Sequence, residues 1–288
     1  MAIVVESTAI NSATSTNTLT ITKPSGLAEG DLMVAPISMY DGAGGDDINT
    51  PSGWTAVASK DRSFVFTVVF WKVATSADVA ASNFTFTTTG TSSLIAGGIM
   101  RVSGVAVGSE VNLSTTAELI NTGGITSPSL TISQTPSVDN TLIVMMIAGW
   151  NNNTGVSMSG YAVGGDTVTF TELYDYNSGQ SVLGVAYGIQ DTATALTSFG
   201  ATISASLDDF AGSFVVFSPR VDATGTNTLV TTTSEAFSQS GTAGATTENT
   251  LATATAASLE QSGRVDAVPT AWTNEEKPST IWTNEDKL

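Results

Sequence analysis

The chain has 288 residues, enough for one large all-β domain or two small ones, and carries a net charge of −17 from 26 acidic and nine basic residues. So acidic a surface repels a phosphate backbone, which argues against nucleic acid as a partner, and the absence of Cys and His removes the commonest nucleophile–base pairs and the usual zinc and copper ligands. Only 12 % of the residues are charged, about half the usual share, and the polarity comes instead from Thr, Ser, Asn and Gly, which suit strands and turns.

The first residues, Met1-Ala2-Ile3-Val4-Val5-Glu6, lack a basic stretch followed by a long apolar run, so no signal peptide is expected. No apolar run approaches the roughly 20 residues that span a bilayer, and no membrane insertion is expected. Strand signals then recur with turns between them. They fall at residues 18–22, at 31–39, at 54–57 after the turn Pro51-Ser52-Gly53, and at 64–73, 84–87 and 95–102. The same order returns at 129–133, 140–148, 167–173, 182–187, 202–205 and 211–217.

Six signals repeated in order predict an all-β fold over 1–219, with similar halves at 1–108 and 109–219. Either each half is a small sandwich, or the halves interleave into one jelly-roll-like antiparallel β-sandwich of about twelve strands. The second arrangement is favoured, because 104–125 keeps Val105, Val107, Val111 and Leu113 and does not read as a linker. Gly97-Gly98 and Gly212 fall inside matching strands, which suits a bulge or a close approach.

After Pro219 the composition shifts. Residues 220–268 read as a low-complexity linker of Thr, Ala, Ser, Gly and Asn, with a short strand near 228–231 and helix-favouring residues over 252–261. Residues 269–288 are an extended arm built from a tandem repeat. Ala271-Trp272-Thr273-Asn274-Glu275-Glu276-Lys277 returns as Ile281-Trp282-Thr283-Asn284-Glu285-Asp286-Lys287. A repeat this short buries no core of its own, so its Trp anchors order against something else. Trp272, Asn274, Trp282 and Asn284 are therefore candidate partner-binding residues.

Three further groups could carry chemistry. Trp150, Asn151 and Asn152 combine an aromatic face with amides and are a candidate glycan contact. Asp41, Asp46 and Asp47 in a Gly-rich loop could contribute oxygens to a calcium ion, although one loop supplies too few ligands. Otherwise no cofactor is expected. Glu172 and Asp175, with Tyr174 and Tyr176 beside them, are the carboxylate pair that glycoside hydrolysis would need. Nothing in the sequence shows that they converge, and no catalytic residue is assigned.

The stretch Ile21-Thr22-Lys23-Pro24-Ser25-Gly26-Leu27-Ala28-Glu29-Gly30-Asp31-Leu32-Met33-Val34-Ala35, then Pro51-Ser52-Gly53-Trp54-Thr55, Phe70-Trp71-Lys72-Val73-Ala74 and Gly97-Gly98-Ile99, resembles a β-sandwich domain of tailed-bacteriophage structural proteins. The tail repeat resembles short C-terminal repeats of virion proteins. The resemblance spans residues 15–218 and implies a non-enzymatic exterior virion component: a tail or neck fibre, or a head decoration. It implies assembly in the host cytoplasm, other virion proteins as partners, and a homo-oligomer such as a trimer. A receptor- or polysaccharide-binding adhesin that takes host surface glycan is the alternative.

Overall fold

The two apolar runs at 31–39 and 140–148 become the central strands of two sheets, each buried on both faces. The computed structural model describes residues 2–41, 45–106, 108, 110–150, 156–177, 181–220, 228–230, 237–240, 250–252 and 259–262. They fall in two units, Met1–Arg220 and Val221–Leu288.

In the first half, β1 (Val4–Thr22), β2 (Leu32–Tyr40), β3 (Thr55–Arg62), β4 (Val65–Val73) and β5 (Asn83–Ser103) form one antiparallel sheet in the order β1-β5-β2-β4-β3. A single helical turn, α1 (Ser76–Ala80), links β4 to β5 and is capped by a reciprocal Thr75–Asp78 box. The second half contains β6 (Val111–Ile125), β7 (Ser129–Gln134), β8 (Thr141–Trp150), β9 (Met158–Gly164), β10 (Phe170–Asn177), β11 (Ser181–Gln190), β12 (Leu196–Ile203) and β13 (Leu207–Phe217). Five of them make a sheet in the order β10-β11-β8-β13-β6, and β7-β12-β9 make a smaller one.

Register shows that the halves share one arrangement. Leu32 on β2 pairs with Val73 and Val102, and Leu142 on β8 pairs with Ile189 and Phe217. Strands β1, β5, β2, β4 and β3 thus correspond to β6, β13, β8, β11 and β10. A β-bulge recurs at the same place, between Ala56 and Ala58 on β3 and between Glu172 and Tyr174 on β10.

The alternation of the strands builds three core layers. Leu32, Val34 and Tyr40 meet Leu142, Val144, Met146 and Ala148 in a central core shared by both halves. Met33, Ala35, Ile37 and Met39 turn the other way, under Leu19, Ile21 and Phe86. Ile143, Met145 and Ile147 do the same under Leu130 and Phe199. Both outer layers close down on a glycine. A Cβ on Gly97 would strike the Ile37 side chain, and one on Gly212 would lie 2.6 Å from Leu130 and from Phe199. The matched glycines therefore mark close approach.

All ladders between named strands among the described residues join strands of the same half, and only the isolated bridge Val105–Pro219 crosses between them, so the sheets do not interleave; they stack face to face. The result is an antiparallel β-sandwich of two similar halves with a common centre. Hydroxyls also cross that centre. Thr67 Oγ1 lies 2.8 Å from Ser213 Oγ, and Tyr174 Oη lies 3.3 Å from Ser38 Oγ and donates to the Pro36 carbonyl at 3.3 Å. Buried hydroxyls left unpaired cost about 1–3 kcal/mol each, so these contacts favour one setting of sheet on sheet.

The strand expected at 202–205 lies earlier, at Leu196–Ile203. The strand β9, the helix α1 and the outer stretches of β1 and β6 were without clear signals. The residues of the Lys23–Asp31 motif have structural work. Arg101 Nε donates to Asp31 Oδ2 at 2.6 Å, the Ala28 amide donates to the same oxygen, and Gly26 and Gly30 take positive φ.

In Val221–Leu288 the described residues are four short strands: β14 (Thr228–Val230), β15 (Phe237–Ser240), β16 (Thr250–Ala252) and β17 (Leu259–Ser262). β14 pairs in parallel with β16, and β15 with β17. The strand at Leu259–Ser262 replaces the helix that composition favours over 252–261, because pairing outweighs propensity.

Candidate functional site

Trp150 ends β8, in register with Asp209 on β13 and Ser181 on β11. It is half-buried. Its Nε1 donates to Tyr40 Oη at 3.2 Å, and its ring lies 4.6 Å from that of Phe64 at 50°. Arg62 and Ser63 approach from the first half: Arg62 Nη2 donates to Asp209 Oδ1 at 3.2 Å, and Ser63 Oγ to Asp209 Oδ2 at 3.1 Å. Arg62 Nε is buried with no hydrogen-bond partner among the described residues. This end of the sandwich thus gathers Tyr40, Arg62, Phe64, Trp150 and Asp209 from both halves. One indole face and its N–H are committed to protein contacts. Asn151 and Asn152 lie outside the described residues.

The acidic loop lies near β3 and β5. The Asp46 amide donates to Asp41 Oδ2 at 3.2 Å, Thr89 Oγ1 donates to Asp46 Oδ1 at 3.2 Å, and the Asp47 amide donates to Thr89 Oγ1 at 2.9 Å. Burial raises the pKa of Asp61, and the negative charges of Asp41 and Asp47 raise it further. Among the described residues no group of three or more acidic side chains is placed to hold a metal ion.

Glu172 and Asp175 share a face. Leu173 is the extra residue of the bulge, so Glu172 opposes Ala186 and Asp175 opposes Gly184, two positions apart on β11. Tyr161 of β9 covers that face, and its hydroxyl touches the space where Gly184 has no side chain. Asp175 Oδ2 accepts from the Met158 amide at 2.8 Å, while Asp175 Oδ1 and Tyr161 Oη are buried without a partner among the described residues. Burial pushes the pKa of Asp175 above its ordinary value. Burial, then the charge of Asp175, does the same to Glu172. Burial, then Glu172 and Asp175, holds the Tyr161 phenol protonated well beyond its usual range. Chemically, the arrangement is two carboxyls with raised proton affinity beside a phenol that stays neutral.

Trp272, Asn274, Trp282 and Asn284 lie outside the described residues. A second repeat in this region has no counterpart in the motif reading above. Thr228 pairs with Thr250 and Phe237 with Leu259, a separation of 22 residues in both ladders. At that offset Asn227-Thr228-Leu229 matches Asn249-Thr250-Leu251, and Gln239-Ser240-Gly241 matches Gln261-Ser262-Gly263. Thr231 and Thr233 also match Thr253 and Thr255. A self-comparison at a fixed offset finds this repeat; a scan for apolar runs passes over it.

Comparison with protein-family models, with curated proteins and with solved structures gives no match.

Proposed function

We propose that the chain is a non-enzymatic structural component of a tailed-bacteriophage virion. In this reading it is an exterior fibre, tail or decoration protein, assembled in the host cytoplasm and attached through residues 269–288. The observation that carries this reading is the repeated construction after Arg220: a 22-residue unit used twice, then a ten-residue Trp unit used twice. Tandem units of that size have little core of their own and gain stability by stacking on neighbours or on a partner. They follow an acidic sandwich without cysteine, which suits folding in a reducing cytosol. The partners are other virion proteins and further copies of the chain. The test is immunogold microscopy of purified native particles with an antibody to residues 1–219, alongside a chain ending at Arg220. Label on heads, necks or tails of particles carrying the full chain, and its loss with the shortened one, is the expected result. Equal incorporation of both, or unlabelled particles, overturns the reading.

A receptor- or polysaccharide-binding adhesin is the alternative, and the half-exposed Trp150 beside Tyr40 and the Arg62–Asp209 pair favours it. Trp150→Ala would then abolish binding on a host glycan array while circular dichroism still reports the sandwich. An array on which the natural chain binds nothing counts against it. The Glu172–Asp175 pair takes no part in either reading.

A further inference from the structure

We infer that the strands β14, β15, β16 and β17 are two rungs of a parallel β-stack that a second copy of this chain continues, rung upon rung. One rung holds β14 and β15, and the next holds β16 and β17. Both ladders share one offset, so the second rung lies on the first as a unit. Like residues share register positions: Thr228 with Thr250, Leu229 with Leu251, Gln239 with Gln261 and Ser240 with Ser262. Six residues separate the two strands in each copy, 231–236 and 253–258, so the spacing within the rungs is equal.

Two rungs are fewer than the three or so repeats that a stacked architecture needs. Among the described residues neither outer edge of this pair has a strand partner, since each ladder is two-stranded. Such an edge presents a row of unpaired backbone donors and acceptors, a template for another strand. The repeat identifies what fits it. The outer edge of β16–β17, which has no strand partner among the described residues, is a near-copy of the β14–β15 edge that already receives a rung inside the chain, and the reverse holds for the other side. The first rung of a second copy is therefore complementary to the second rung of this one.

Charge sets the order. Ser238 pairs with Glu260 in register. Placing the second rung of one copy beneath the first rung of another repeats that register pairing. Stacking two second rungs in parallel register would instead set Glu260 against Glu260, and like charges directly opposite are destabilising. The contact is thus head-to-tail rather than between like edges.

The chain has no cysteine, so cross-linking can be read without background. Adjacent strands lie about 4.7–4.9 Å apart, inside the separation a disulfide bridges. Full-length Thr228→Cys and Thr250→Cys variants are co-expressed and oxidised, and every disulfide formed must join two chains. The expected result is a several-fold higher yield of cross-linked dimer from the mixture than from either variant alone. Equal yields, or the strongest cross-link from Thr250→Cys alone, overturn the head-to-tail stack. Sedimentation of the unsubstituted chain gives a second reading. A mass that is a multiple of 29.4 kDa, falling to one chain in Leu251→Pro with the sandwich intact by circular dichroism, is expected. A single-chain mass at every concentration overturns the inference. The inference stands apart from the virion reading: an oligomer absent from particles would sink that reading and leave this one in place.

Discussion

The two halves of the sandwich share one strand order and close their outer faces by different means. In the first half the cover is the far ends of the long strands: residues 18–22 of β1 pair with 83–87 of β5, beyond a register shift at Thr16–Thr18. In the second half the corresponding segments are separate strands, β7 and β12, and an added strand, β9, widens the cover to three. That addition brings Tyr161 over the face that holds Glu172 and Asp175. The bulge is present in both halves, but Ser59 stands in the first half where Asp175 stands in the second. The two halves share the scaffold, and the unusual chemistry lies where they differ.

Removing matched aromatic anchors puts the most strain on this comparison. Phe86 faces Leu19 across its ladder as Phe199 faces Leu130, and both are fully buried. Phe86→Ala and Phe199→Ala should each cost about 3–5 kcal/mol in urea unfolding. Because the central core is common, both should shift one cooperative transition of the full chain's sandwich by similar amounts. Two separated transitions would show halves that unfold independently.

The matched glycines come next. Gly97→Ala and Gly212→Ala should each destabilise by about 1–3 kcal/mol through overpacking, in the same assay. A neutral result at one of them would mean that its cover yields where the other's does not.

The smallest effect sharpens the difference between the halves. Burial makes the folded chain hold the Asp175 proton more tightly than the unfolded chain does. The stability from this group is fully present below the unfolded carboxylate pKa and is lost as pH rises through the higher folded value. Asp175→Asn should therefore raise the urea midpoint at neutral pH and leave it unchanged in acid. Its amide oxygen can still accept from Met158. A midpoint that rises equally at both pH values would assign the gain to packing instead.

How much of this was legible depended on where each residue faces. The runs through Val34 and Val144 announced strands, but an unbroken apolar run does not say which side chains meet which core, so stacking and interleaving looked alike. The outer parts of β1 and β6 were silent because edge strands rich in Ser, Thr and Asn lack an apolar rhythm. Matching Gly97 to Gly212 by order in the chain anticipated their close packing. The shared face of Glu172 and Asp175 was hidden, since three residues apart in a regular strand would put them on opposite sides; only the bulge at Leu173 reverses that. Trp150 carried an aromatic signal, but its hydrogen bond to Tyr40 joins residues 110 positions apart. The 22-residue unit was obscured by its own composition, because exchanges among Thr, Ser and Ala leave few fixed points.

The constant offset of the two parallel ladders has a consequence for length. A unit whose register never drifts is a ruler. Lengthening it by whole copies of 22 residues would add one strand spacing each time, about 4.7–4.9 Å. An insertion of any other size within a strand would slip the register in which Thr228-Leu229-Val230 and Thr250-Leu251-Ala252 are paired. The reach of this segment can thus change in fixed increments, through duplication or loss of a whole unit, without redesign of the sandwich that precedes it.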